Sequence, residues 1–231
     1  MENTRPNFLD SLILPLFWAV ALWTLHIVTF AGGFDLSFLG VYPKSGYGLI
    51  GIFTAPFIHG DFQHLTSNTL PLVFLTWMIV YFYKEVAYKS IAWIYILTGA
   101  MVWGFGREVY HIGASGVVYG LVSFVFWSGL FVKDVRSIVL ALIVTVLYSG
   151  MFLGILPNQE GISWESHLFG ALVGIAIAFM MKNQIEPEVK QVPWEDEKDE
   201  NKAYFLPHDT FEKTKLERAR AQEWDWESDM T

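Results

Sequence analysis

Long apolar runs separated by short polar connections dominate this chain and limit what it can fold into. The first run covers residues 11–31, and five more follow at about 62–83, 90–105, 115–132, 137–155 and 163–181. A helix of about 20 apolar residues crosses the hydrocarbon core of a bilayer. The first run is longer than a signal-peptide core and is flanked by Glu2 and Asp10. The sequence therefore predicts an all-α, polytopic membrane protein with six transmembrane helices.

Charge is sparse and unevenly placed along the chain. Only 16% of the residues are charged, against roughly 25% in average globular proteins. Residues 184–231 hold 14 acidic and 7 basic residues and so carry nearly all of the formal net charge of −8. We expect a cytoplasmic N-terminus at 1–10, a six-helix membrane domain at 11–182, and an acidic, partly disordered cytoplasmic tail at 183–231.

Composition also excludes several kinds of site. The sequence lacks a basic cluster of the kind that binds nucleic acid. The chain contains no cysteine, which excludes disulfides, thiolate metal ligands and a cysteine nucleophile.

The orientation follows from lysine and arginine residues near the ends of the runs. The connections on one side hold six of them: Arg5, Lys84, Lys89, Lys133, Arg136 and Lys182. The connections on the other side hold only Lys44 and Arg107. The positive-inside rule therefore places both termini in the cytoplasm. The first loop, the segment before Ser115 and the loop before the sixth run then share the outer side.

The connection at residues 32–60 is long, rich in glycine and aromatic residues, and too apolar for a disordered linker. It lacks a continuous apolar core of 20 residues. We expect a compact loop that lies in the membrane interface.

A short run of small residues, Gly113-Ala114-Ser115-Gly116, lies at a sharp change of character. A polar segment at 106–111 precedes it, and an apolar run follows. A small-residue turn that leads into a helix can expose a serine hydroxyl beside free backbone N–H groups. Gly and Ser are also the ordinary residues of turns and caps, so this motif alone does not identify a nucleophile.

Polar residues from three predicted helices meet on the outer side of the membrane. His59, His64 and Asn68 lie around the start of the second run, Ser115 starts the fourth, and His167 lies near the start of the sixth. Polar groups inside a membrane domain are costly and usually functional. This convergence is stronger evidence for a site than any single motif.

These side chains suit acyl transfer. Ser115 needs a base, and His167 is the natural partner if the fourth and sixth helices pack closely. Both helices carry small residues at every fourth position, which favours such packing: Gly116 and Gly120 on the fourth, and Ser166, Gly170, Gly174 and Ala178 on the sixth.

The remaining roles follow from helical spacing. His64 and Asn68 are four residues apart and face the same way, so they can donate to an oxyanion together with the Ser115 amide. Tyr119 lies one turn from Ser115, where it can stack on His167. Glu165 lies on another face from His167, which favours a Ser–His dyad over a triad.

Two alternatives remain open for the histidines. His59 and His64 are five residues apart, which suits a shared metal ion poorly, and we expect no metal and no cofactor. His111 is an alternative base for Ser115, although a loop histidine is harder to hold in place.

The chain resembles the rhomboid family of intramembrane serine proteases over about residues 10–182. Three elements carry the resemblance: Gly113-Ala114-Ser115-Gly116 followed by Val117-Val118-Tyr119, the spacing of His59, His64 and Asn68, and Ser166-His167-Leu168-Phe169-Gly170 with Gly174. Many members carry a Trp-Arg pair about nine residues before the first histidine, whereas this chain has Ile50-Gly51. The Gly-x-Ser-Gly motif alone is unspecific, but the three elements together are highly specific, because their order, spacing and placement in the spans all agree.

The resemblance implies roles for individual residues. Ser115 corresponds to the nucleophile, His167 to the general base, and His64 and Asn68 to the oxyanion side chains. Tyr119 corresponds to the ring that stacks on the base. His59 corresponds to a structural histidine that ties the first loop to the second helix, while Gly113 and Gly116 keep the active-site turn narrow.

The predicted function is hydrolysis of peptide bonds in or near transmembrane segments of other membrane proteins. The expected partners are those substrates and the lipid bilayer, and the expected location is a bacterial cell membrane. A catalytically dead relative that escorts membrane proteins is a second hypothesis, and the presence of both Ser115 and His167 argues against it. A channel or transporter is a third, and the lack of charge in the bundle interior argues against it.

Overall fold

A computed structural model describes residues 7–157 and 163–185, together with residues 214, 216 and 217. Within these residues the fold is all-helical, with one isolated β-bridge between Val41 and His111. The α-helices are α1 (Phe8–Ser11), α2 (Ile13–Gly32), α3 (Gly51–Thr54), α4 (Phe62–Phe82), α5 (Ala87–Phe105), α6 (Ser115–Val132), α7 (Val135–Tyr148) and α8 (Trp164–Met181).

Four helical segments of the described chain are long and apolar enough to cross a membrane. They are the joined α1 and α2 (Phe8–Gly32), α4, α6 and α8. Helices α5 and α7 occupy the places of the predicted third and fifth spans, but they do not meet the same criteria of length and apolarity. The polytopic, all-helical class is therefore supported, while the count of six membrane crossings stays a prediction.

The predicted fifth span, residues 137–155, differs most from the structure. Helix α7 ends at Tyr148, and a 3-10 helix, Ser149–Ile155, continues the chain. Ser149 and Gly150 follow the last α-helical residue, and both residue types have lower helix propensity than the apolar residues before them. This change of helix type matters because the 3-10 segment contains Gly154, which contacts the functional site.

Helices α6 and α8 form the central pair of the bundle, as the small-residue pattern predicts. A side chain added at Gly170 or Gly174 would overlap the backbone oxygens of Gly116 and Gly120 respectively. Ser123 Oγ also donates a hydrogen bond to the backbone oxygen of Ala171 at 2.8 Å. The two backbones therefore approach closely, which brings the starts of both helices side by side.

The first helix packs at the edge of the bundle. Its buried residues recur at intervals of three or four: Pro15, Trp18, Leu22 and His26. The other faces carry exposed apolar side chains such as Phe17, Val20 and Val28. A helix that buries one narrow stripe and exposes an apolar surface is suited to contact lipid on its outer side.

The connection at residues 33–61 contains several short helices. It folds into α3 and the short 3-10 helices Ser37–Leu39, Tyr47–Leu49 and Ala55–Phe57. Trp103 Nε1 on α5 donates to the backbone oxygen of Ser45 at 2.8 Å, and Lys44 N donates to the backbone oxygen of Trp103 at 2.9 Å. These bonds hold the loop against the end of α5 without a Trp-Arg pair at 50–51. Its location in the membrane interface stays a prediction.

Beyond residue 185, the structure describes the C-terminal tail only at residues 214, 216 and 217. Thr214 and Glu217 form a reciprocal cap, in which Glu217 Oε2 accepts from Thr214 N at 2.7 Å and from Thr214 Oγ1 at 2.8 Å. Such a pair marks a helix start. The prediction that the tail at 183–231 is partly disordered concerns residues that lie largely outside the described part of the chain.

Candidate active site

The turn before α6 brings Ser115 to the first position of a helix. Gly113 has a φ of +97°, a conformation that favours glycine, and its N–H donates to the backbone oxygen of Ala55 at 2.9 Å. A Cβ atom at Gly113 would also lie 2.6 Å from Nε2 of His64. The turn is therefore narrow for two physical reasons: backbone geometry and the imidazole beside it.

Ser115 and His167 are in direct contact. Ser115 Oγ lies 2.8 Å from His167 Nε2, and His167 is only 8% exposed. The other ring nitrogen, Nδ1, lies 2.8 Å from the backbone oxygen of Gly154. A carbonyl can only accept, so Nδ1 carries the hydrogen and the Nε2 lone pair faces the hydroxyl. This is the protonation pattern that a base for Ser115 requires.

Tyr119 supports the imidazole from one face. Its ring stacks on that of His167 with centroids 4.1 Å apart and planes inclined by 8°. The Tyr119 hydroxyl donates to the backbone oxygen of Met151 at 2.6 Å, which fixes the phenol ring in turn. His167 is therefore held by a hydrogen bond in its plane and by a ring against its face.

His64 and Asn68 lie one turn apart on α4, as their spacing predicts. Asp61 caps this helix, since its Oδ1 accepts from His64 N at 2.7 Å, and this bond lowers the pKa of Asp61 below its usual value. Asn68 is 4% exposed, and its Nδ2 donates to the backbone oxygen of His64 at 2.8 Å. Both side chains line the same cavity as Ser115.

That cavity has a volume of about 930 Å³. All five residues with predicted roles in the reaction line it: Ser115, His167, His64, Asn68 and Tyr119. The exposed polar side chains of Asp61, Gln63 and Arg107 line it as well. The structure therefore gathers side chains from α4, α6 and α8 around one opening large enough for a peptide segment.

His59 lies beside this site rather than in it. Its ring is 8% exposed and packs edge-on against the ring of His64, with centroids 5.0 Å apart. Nδ1 is 3.4 Å from the backbone oxygen of Phe57, a long contact. Burial, reinforced by the neighbouring His64, lowers the pKa of His59 to about 4. A neutral ring between Phe57 and His64 fits a packing role at the junction of the first loop and α4.

His111, the alternative base, does not contact Ser115 in this structure. Its Nδ1 lies 2.5 Å from Ser163 Oγ, and its Nε2 lies 3.0 Å from the backbone oxygen of Arg107. The ring is 2% exposed, and burial lowers the pKa of His111. Both of its nitrogens are thus engaged elsewhere, and the geometry favours His167.

Two features of the site were not anticipated from the sequence. The backbone oxygen of Gly154 is the partner of His167, and no sequence pattern marks a backbone acceptor. Glu165 forms an ion pair with Arg107 across two segments of the chain. Glu165 lies in an apolar helix, where an acidic residue is costly without a partner. Its position in the sequence was therefore an indication that a cation lies nearby.

The described residues contain no group of three or more His, Asp or Glu side chains arranged to hold a metal ion. The site's polar groups instead form hydrogen bonds with each other and with the backbone. The chemistry that they can perform without further groups is proton transfer between a hydroxyl and an imidazole.

The sequence of this chain is similar to those of known proteins. Residues 47–184 match the Rhomboid domain. Proteins of Mycobacterium bovis and Mycobacterium tuberculosis, named only as uncharacterized, are 31% identical over 186 residues, which is 77% of this chain and 78% of each relative. A protein of Acanthamoeba polyphaga mimivirus that is named as a rhomboid is 28% identical over 134 residues, 54% of this chain and 71% of the relative. The chain therefore belongs to the rhomboid family and is an integral membrane protein.

Proposed function

We propose that this protein is an intramembrane serine endopeptidase that cleaves transmembrane segments of other membrane proteins. The observation that carries the proposal is the 2.8 Å contact between Ser115 Oγ and His167 Nε2, with the opposite ring nitrogen bound to a carbonyl. A base so oriented is poised to take the proton of the hydroxyl. Membership of a family of intramembrane serine proteases supports the same conclusion.

Acylation begins when Ser115 Oγ attacks the carbonyl carbon of the scissile peptide bond. The hydroxyl proton moves to His167 Nε2, and the carbonyl oxygen becomes a tetrahedral oxyanion. The carbon–nitrogen bond then breaks, His167 gives its proton to the leaving amine, and an ester links the remaining acyl group to Ser115. The Nδ1 bond to Gly154 is kept throughout and stabilises the charged imidazolium as it forms.

The oxyanion needs donors aimed at the space above Ser115. The Ser115 N–H lies at the start of α6, where the first backbone N–H groups of a helix have no helical acceptor. Asn68 uses one amide hydrogen on the backbone of His64, and its second is available to the oxyanion. We assign the imidazole of His64, beside Gly113, as the third donor.

Deacylation requires water at the ester. The cavity rim carries Asp61 and Gln63, polar side chains that favour water entry from one end of the bundle. His167 Nε2 takes a proton from this water as its oxygen attacks the ester carbon. The bond between that carbon and Ser115 Oγ then breaks, His167 returns the proton to Ser115 Oγ, and the new carboxyl end of the substrate leaves. A substrate helix has its carbonyls in internal hydrogen bonds, so a segment that unwinds locally is the expected substrate. By resemblance, helix-breaking residues and a small residue before the cut favour cleavage.

We also propose an orientation of the protein in the membrane. Both termini are cytoplasmic, and the cavity opens toward the outer side of a bacterial cell membrane. The distribution of Lys and Arg in the connections supports this orientation. A cysteine added at either end of this cysteine-free chain can be tested with a membrane-impermeant thiol reagent on intact cells.

A fluorophosphonate probe tests the proposed chemistry, because it reacts with activated serines. Purified protein in detergent should be labelled, and Ser115→Ala and His167→Ala should abolish both labelling and cleavage of a transmembrane substrate. Ser128→Ala is the matched control: Ser128 lies on the same helix, is fully buried and has no hydrogen-bond partner for its Oγ among the described residues. Cleavage that survives Ser115→Ala would overturn the proposal, and loss of labelling in His111→Ala alone would name the other base.

A further inference from the structure

The active-site geometry depends on the relative position of two helix starts. Ser115 is the first residue of α6, and His167 lies in the first turn of α8. Small residues hold the two helices together farther along their length. Closer to the site, side chains of the segment at 106–113 reach across to the first residues of α8.

The first of these contacts is a forked ion pair. Arg107 Nη2 lies 3.0 Å from Glu165 Oε2, and Arg107 Nε contacts Oε1. The Glu165 side chain is only 4% exposed, while that of Arg107 is 57% exposed. A buried carboxylate is costly without a partner, and a fork with two bonds restricts both distance and direction. The pair therefore fixes how the segment before Ser115 lies on α8.

The second contact runs through His111. Its Nε2 lies 3.0 Å from the backbone oxygen of Arg107, which can only accept, so Nδ1 must accept from Ser163 Oγ at 2.5 Å. Ser163 Oγ in turn lies 2.6 Å from Ser166 Oγ, one residue before the base. Burial lowers the pKa of His111, which keeps the ring neutral as this pattern requires.

His111 is joined to the first loop as well. Its backbone N–H and oxygen each bond to Val41 at 2.9 Å. One residue therefore connects the first loop, the segment before Ser115 and the start of α8. Between His111 and Ser115 the chain has only Ile112, Gly113 and Ala114, so a displacement of His111 passes directly to the nucleophile.

We propose that these two contacts, Arg107–Glu165 and His111–Ser163–Ser166, form a clamp that positions Ser115 against His167. The proposal rests on the proposed protease function, and the clamp residues act through the dyad without touching the reacting atoms. Loss of the clamp removes these side-chain links to α8, while the backbone bonds to Val41 and the ring contact between Tyr110 and Tyr42 still hold the segment to the first loop. Misplacement of a reacting group by about 1 Å costs roughly 100-fold in rate, so a modest shift is measurable.

Variants that remove the charges of Arg107 and Glu165 distinguish a role in positioning the dyad from a role in stabilising the fold. Arg107→Gln strands the buried carboxylate and should lower both the thermal midpoint and the rate of fluorophosphonate labelling. Arg107→Gln with Glu165→Gln removes the stranded charge, so the midpoint should recover toward wild type. The labelling rate at saturating probe should stay roughly 10- to 100-fold low, with half-saturation little changed.

Two further variants sharpen the test. Ser163→Ala removes only the hydroxyl between His111 and Ser166 and should lower the same rate. Arg136→Gln is the matched control, because Arg136 pairs with Asp134 at 3.8 Å near the opposite end of α6 from Ser115. It should leave the labelling rate unchanged.

Hydrogen–deuterium exchange at residues 106–114 gives a readout that does not need activity. Exchange there should rise about tenfold in the double variant and stay unchanged in Arg136→Gln. A double variant that regains its labelling rate together with its midpoint, or that shows wild-type exchange, would overturn the clamp. If wild-type protein is not labelled at all, the protease proposal fails, and faster exchange in the double variant still supports the clamp.

Discussion

The backbone oxygen of Gly154 lies 2.8 Å from Nδ1 of His167, and this contact determines which ring nitrogen faces Ser115. Serine hydrolases commonly use an acid side chain for this purpose. Here the acid nearest in sequence, Glu165, is paired with Arg107 instead. The orientation of the base therefore depends on the backbone of a 3-10 segment.

A side chain at Gly154 should disturb this arrangement. A Cβ atom there would overlap the Tyr119 hydroxyl and lie 3.1 Å from His167 Nδ1. We expect Gly154→Ala to lower the fluorophosphonate labelling rate at least tenfold, because the ring and its acceptor must move apart. Gly150→Ala is the control in the same segment, since a Cβ atom there meets nothing within 4 Å. Equal rates in the two variants would contradict the assigned role.

The oxyanion donors give a different kinetic pattern. Asn68→Ala and His64→Ala should each lower kcat for a transmembrane substrate by about 100-fold, with KM little changed, because these bonds strengthen only as the oxyanion forms. Thr66→Ala is the control on the same helix: Thr66 is exposed and bonds the backbone oxygen of Phe62. A rise in KM at constant kcat would indicate substrate binding instead.

The sequence predicted this site because its parts are marked by residue type. The range 115–132 for α6 matches the structure, since a glycine turn precedes an unbroken apolar run. The pairing of α6 with α8 followed from small residues at every fourth position, and that pairing placed Ser115 beside His167. The predicted roles of these residues in catalysis still need the experiments above.

Other features could not be predicted, for physical reasons. The partner of His167 is a backbone carbonyl, and every residue has one. The end of α7 at Tyr148 was missed, because hydropathy does not distinguish an α-helix from the 3-10 segment that follows. The ion pair between Arg107 and Glu165 was not predicted, because the two residues are 58 positions apart in sequence. Arg107 was considered only for the membrane orientation, and Glu165 only for its helix face relative to His167.

Close packing of α6 on α8 predicts a large effect of a single methyl group. A Cβ atom at Gly174 would overlap the backbone oxygen of Gly120 and lie 3.0 Å from the backbone nitrogen of Phe124. Backbone atoms cannot rotate away, so Gly174→Ala should lower the free energy of unfolding by about 1–3 kcal/mol. Gly104→Ala on α5 meets nothing within 4 Å and should stabilise by up to about 1 kcal/mol. Thermal unfolding in detergent compares the two, and similar midpoints would argue against the tight interface.

The buried His59 predicts how stability depends on pH. Its folded-state pKa is lowered to about 4 by burial and by His64 and His26, opposed by the backbone contact with Phe57 and by Asp61, whereas the unfolded chain titrates near 6.5. The unfolded state therefore binds the proton first as the pH falls. The contribution of His59 is complete above about pH 6.5 and is lost progressively toward pH 4, by at most about 3 kcal/mol. Thermal midpoints at pH 7.5 and pH 5 measure this loss. His59→Asn should show a smaller loss than wild type, because its side chain does not titrate, and an equal loss in both proteins would assign the pH dependence to other groups.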